Sequence, residues 1–141
     1  MEQKTMNSRL RDEEFLTLFN ETLKLMVDCG VKNPRQAAVR FALANGAPRY
    51  AVSFERAYDV VCGMLRGKTF HKGENHLAMW RELTERVRLL VAESGISVAR
   101  ALEHVLTHCR ASRYFMDERY AYRNSYRLAQ RRRRRIERRF S

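Results

Sequence analysis

With 141 residues, 45% of them hydrophobic, and only two prolines and six glycines, the chain is long enough to bury one core and too apolar for a disordered polymer. Its formal net charge of +12 is concentrated in residues 110 to 141, where twelve arginines face only Asp117, Glu118 and Glu137, so a polyanionic partner is expected: nucleic acid, an anionic membrane surface or an acidic protein. Apolar runs such as "VVCGML" fall far short of the roughly 20 residues of a membrane span, the N-terminus lacks an apolar signal core, and Cys29, Cys62 and Cys109 are odd in number and scattered, which together predict an intracellular protein with reduced thiols.

From near Asp12, the residues Phe15, Phe19, Leu23 and Met26 recur at helical spacing, and Gly30 offers a left-handed stop. Asn33 as N-cap and Pro34 at the first helical position open a second helix, lined by Ala37, Ala38, Phe41 and Ala42 and ended by Asn45 and Gly46. Pro48 lacks an amide hydrogen and biases Ala47 toward extended backbone, so "APRYAV" interrupts the helices. Ser53 then caps a third helix, in which Ala57, Val61, Met64 and Leu65 share one side up to Gly67.

After the surface loop "KTFHKGEN" the progression returns. Leu77, Trp80, Leu83, Val87, Leu90 and Val91 form a long stripe that Gly95 stops, and Ser97 caps a helix holding Val98, Ala101, Leu102, Val105 and Leu106. "RASRYFM" is the second interruption, and Asp117 caps a sixth helix running from Glu118 into the arginine-rich terminus. The expected fold is all-α, with about six helices.

Sliding the chain against itself by 64 positions aligns identical residues at Glu21/Glu85, Leu25/Leu89, Val27/Val91, Ala37/Ala101, Ala47/Ala111, Arg49/Arg113, Tyr50/Tyr114, Ala57/Ala121 and Tyr58/Tyr122. Such a long-period match reads as duplication of a three-helix unit. The expected organisation is a helical domain over 1–126, with repeats at approximately 12–66 and 76–126 packed through the apolar sides of the first and fourth helices, and an arginine-rich extension over 127–141.

The extension carries the sharpest functional signal. Arg119, Arg123, Arg127, Arg131, Arg135 and Arg139 recur every fourth residue, and Arg132, Arg133, Arg134 and Arg138 fill in around them, making a winding cationic ridge on a helix. Like charges at this spacing disfavour an isolated helix by a few tenths of a kcal/mol per pair, about 1–2 kcal/mol over the ridge, and phosphates along it would remove that penalty. The helix is therefore expected to fray alone beyond about Ala129 and to become ordered on a polyanion. Arg113, with Lys68 and Lys72, extends the basic surface. Among the interleaved aromatics, Tyr122, Tyr126 and Ala129 fall at i, i+4 and i+7; base stacking is one use of them, but Tyr58 matches Tyr122 where no arginine run follows, so core packing is the preferred reading. Arg49 and Arg113 are expected to satisfy carbonyls at nearby helix ends.

Competing chemistries are weaker. His104 and His108 lie four apart beside Cys109, but His71 and His76 complete no metal-ligand spacing, so no metal, cofactor or catalytic residue is assigned; phosphate-loop, nucleophile-elbow and His-Glu-x-x-His motifs do not occur. The second and third helices have the short-helix, glycine, second-helix order of a helix-turn-helix, but the connection from Gly46 to Ser53 exceeds the about three to four residues of a compact turn. The leading expectation is a non-enzymatic protein binding DNA or RNA through phosphates. The alternative is an assembly adaptor whose helical body binds protein partners and whose basic tail docks into a larger complex.

Overall fold

Caps and glycines set most of the helix ends. A computed structural model describes the backbone of residues 6–69 and 73–140, and the side chains in that range other than those of residues 6, 128–133 and 140. Among the described residues there are six helices and no strands: α1 (Met6–Asp28), α2 (Pro34–Ala44), α3 (Phe54–Leu65), α4 (Glu74–Ser94), α5 (Val98–His108) and α6 (Glu118–Phe140). The Ser53 and Ser97 hydroxyls accept from the amides of Arg56 and Arg100 at 3.3 and 3.2 Å, satisfying a donor that the first helical turn leaves unpaired. Gly30 and Gly95, at φ of 69° and 66°, occupy the left-handed region that lets the chain leave α1 and α4.

Two helix starts differ from expectation. The first helix begins at Met6, so Asp12 is an interior residue: it is buried and accepts the Tyr120 hydroxyl at 2.9 Å, which links α1 to α6. Asn33 precedes α2 but itself takes a left-handed conformation (φ 50°), and its side chain makes no capping hydrogen bond; Pro34, with φ already suited to a helix and no amide to satisfy, opens α2 without that help.

Packing divides the chain into two compact units, Met1–Asn45 with Met116–Ser141, and Gly46–Phe115. The first contains α1, α2 and α6, the second α3, α4 and α5, so the helix that follows each sequential pair packs in the other unit. This differs from consecutive trios joined through the first and fourth helices. At the joints after α2 and after α5, Ala47 and Ala111, 64 positions apart, form an antiparallel bridge in which each amide donates to the other's carbonyl at 3.1 Å. The same geometry removes the helix-turn-helix reading, because α2 and α3 belong to different units and their connection is not a compact turn.

In the first unit, Phe15, Leu16 and Phe19 of α1 are buried with Ala38, Val39 and Ala42 of α2 and Ala121 of α6; the alanines let the helix backbones approach closely. Phe41, expected on this face, is instead exposed, because the turn of α2 places Val39 inward. In the second unit Ala57, Val60 and Val61 of α3, Met79, Trp80, Leu83 and Val87 of α4, and Ala101, Leu102 and Val105 of α5 form the core.

The joints themselves are held by polar side chains of the second unit. Arg86 donates to the Arg110 carbonyl, pairs with Glu82 at 3.6 Å and lies 5.5 Å from the centre of the Tyr50 ring. Arg110 donates to the Gly46 carbonyl at 3.3 Å. Burial, reinforced by the Glu82 carboxylate and opposed by Arg86, raises the Tyr50 phenol above its ordinary value. The folded chain thus holds this proton more tightly than the unfolded one, and the resulting stability is complete below the unfolded value of about 10 and lost as pH rises toward the folded value. Alkaline denaturation curves should therefore show stability falling above pH ~10, and Tyr50→Phe should reduce that slope; an identical slope in the variant would assign the loss to other groups.

Candidate nucleic-acid interface

The candidate surface starts at the N-terminus of α6. The Asp117 carboxylate accepts the amides of Arg119 and Tyr120 at 2.7 and 3.3 Å, fixing the first turn, and its charge suits the positive end of the helix. Glu118 pairs with Arg40 of α2 at 2.8 Å. Both acids near the start of the ridge are thereby engaged within the first unit.

Beyond this cap, Arg119, Arg123 and Arg127 are exposed, as are Arg134, Arg135, Arg138 and Arg139. The backbone is helical through Phe140, including the stretch expected to fray. The side chains of Arg131, Arg132 and Arg133, and that of Ala129, lie outside the described residues, as does Lys72. Among the described residues none of Arg119, Arg123 and Arg127 enters a salt bridge, so their charge is not spent within the unit. Arg113 is exposed in the other unit, with its guanidinium 4.9 Å from the centre of the Phe115 ring.

Tyr122 and Tyr126 depart from the preferred sequence reading. They are 45% and 54% exposed, whereas Ala121 and Ser125 are fully buried. The packed side of α6 is thus made of small residues, one position before each tyrosine, and it leaves the rings outside. Arg35 of α2 lies over both, with its guanidinium carbon 5.6 Å from the Tyr122 centre and 4.9 Å from that of Tyr126, and it donates to the Ser125 hydroxyl at 3.3 Å. Gln36, Asp117, Glu118, Arg119, Tyr122 and Arg123 line an open cleft beside the first of these rings.

No protein-family model, curated protein or solved structure matches the chain. The sequence pattern marks the arginines of α6 but not Arg35, which no charge run announces, and its i, i+4, i+7 spacing points Tyr122 and Tyr126 inward. The alternation of Ala121 and Ser125 at i and i+4, a small-residue stripe, is the signal that identifies the packed side correctly.

Among the described residues no group of three or more His, Cys, Asp or Glu is placed to hold a metal ion, and His104 and His108 are exposed with rings stacked at 4.6 Å; His71 lies outside the described residues. Cys29, Cys62 and Cys109 are free thiols. No described helix is long and apolar enough to cross a membrane.

Proposed function

We propose that the chain is a non-enzymatic, intracellular nucleic-acid-binding protein whose α6 contacts backbone phosphates with little sequence preference. The observation that carries this reading is the row of exposed arginines on one capped helix, Arg119, Arg123, Arg127, Arg134, Arg135, Arg138 and Arg139. Arginine's planar fork pairs two donors with phosphate oxygens, and phosphate contacts fix position without reading bases. The test is binding to random-sequence DNA and RNA across a salt series. Replacing Arg119, Arg123 and Arg127 together with glutamine should reduce the slope of log affinity against log salt by about 2 units for single strands and about 3 for duplex. An unchanged slope would remove these residues from the interface.

The fold of this binder is, in the same proposal, a duplicated three-helix unit with exchanged third helices and a basic sixth helix extended past the core. Its support is positional: α2 and α5 each span 11 residues and begin 64 positions apart, the capping residues Ser53 and Asp117 keep that offset, and Ala47 pairs with Ala111. A second reading, an assembly adaptor, is favoured by one observation. Phe54, Tyr58 and Leu65 are exposed along one side of α3, with the Phe54 and Tyr58 rings stacked at 5.8 Å, as a protein partner would use them. A stoichiometric protein partner retained after deletion of residues 127–141 would favour it.

A further inference from the structure

We infer that Tyr122, Tyr126 and Arg35 form a base-stacking platform, so that the nucleic acid held by α6 is single-stranded. This rests on the phosphate-binding reading of α6 and adds the class of strand. The two rings stand one helical turn apart, about 6 Å along the axis, on the helix that carries Arg119, Arg123 and Arg127 at the same period. A ring face can receive a base only if the base has left its stack. In a duplex the faces are covered by neighbouring pairs, whereas an unpaired strand presents them, and aromatic platforms beside cationic grooves suit it regardless of sequence.

Three features distinguish the pair from tyrosines that are merely on the surface. Arg35 covers the rings from one side and is itself held by Ser125, which is fully buried, so the platform is fixed before a ligand arrives. The Arg35 Nε is buried and has no hydrogen-bond partner, so packing leaves part of the guanidinium's donor capacity unused beside the rings. The cleft beside Tyr122 is lined by Arg119 and Arg123, and its acids Glu118 and Asp117 are already engaged by Arg40 and by backbone amides. A phosphate in that cleft would meet arginine charge while the adjoining base reached the Tyr122 ring.

The experiment is fluorescence anisotropy with the full chain on labelled oligo-dT, oligo-U and a mixed-sequence DNA duplex of equal length. The wild type should prefer the single strands. Tyr122→Leu and Tyr126→Leu should each weaken single-strand binding by about tenfold and leave duplex binding unchanged, while Tyr122→Phe and Tyr126→Phe, which keep the ring, should bind like wild type. The exposure of both rings lets the leucine variants fold, which circular dichroism checks. Preference for oligo-U over oligo-dT would name RNA as the source of the strand, the reverse preference DNA, and either supports the platform. Equal binding of single strands and duplex, or leucine variants that bind single strands like wild type, would overturn it while leaving the phosphate contacts standing. Absence of binding to all three would overturn both readings.

Discussion

Ending the chain after Arg127 should reduce nucleic-acid affinity by roughly 100-fold or more near physiological salt and lower the salt slope by about 3 to 5 units, because binding without sequence preference draws its free energy from phosphate contacts. The truncation removes seven arginines, Arg131 to Arg135 with Arg138 and Arg139. It leaves the anchored part of α6 in place. Ala121 and Ser125 remain buried, the Tyr120 hydroxyl still reaches Asp12 at 2.9 Å, and Arg40 still pairs with Glu118 at 2.8 Å. The fold should therefore survive, which separates lost contacts from lost structure. The simplest readout is copurification: at low salt the full chain should carry nuclease-sensitive absorbance, and the truncated chain should carry far less. Equal amounts in both would locate binding elsewhere in the molecule.

The second large effect is on stability. Phe15→Ala should cost about 3–5 kcal/mol, since it deletes a fully buried aromatic ring whose neighbours can collapse into the space only in part. Phe15 is 1% exposed, and its ring stacks with that of Phe19 at centroids 6.2 Å apart. Few other large side chains are available to the first unit, where α2 and α6 contribute mainly Ala38, Val39, Ala42, Ala121 and Ser125 to the interior. A loss of this size is a substantial share of the about 5–15 kcal/mol that a domain commonly holds. Urea denaturation followed by circular dichroism measures it. Because α6 packs on α1 and α2, the variant should also weaken binding near its unfolding midpoint, and far from that midpoint it should bind normally. A cost below about 1 kcal/mol would mean that α1 is not the support of this unit.

Much of the fold was legible in the sequence because local chemistry governs helix ends. Ser53, Ser97 and Asp117 cap as their side chains dictate, Gly30 and Gly95 take the left-handed conformations expected of them, and Pro34 opens α2. Buried faces were legible where the apolar stripe is unambiguous, as for Leu83 and Val87 in α4 or Leu102 and Val105 in α5. Where a large aromatic competes with a small neighbour, the apolar pattern points to the wrong side. Phe41, Tyr122 and Tyr126 are large and exposed, while Val39, Ala121 and Ser125 are small and buried. In a tightly packed three-helix unit close approach of backbones selects the small side chain, and hydrophobicity alone points to the wrong side.

The helical class, the order and approximate bounds of the helices, and the arginine spacing of α6 follow from the residues in line, because capping, proline restriction and charge are properties of neighbours along the chain. Tertiary structure alone decided which helices pack together. α6 joins α1 and α2 while α3 joins α4 and α5, and Ala47 meets Ala111 across 64 positions; no local propensity encodes pairings of that range. It also decided what accompanies the arginines. Arg35 reaches Tyr122 and Tyr126 only because α2 and α6, far apart in the chain, pack side by side. The charge was written in one segment, and the surface around it was made by folding.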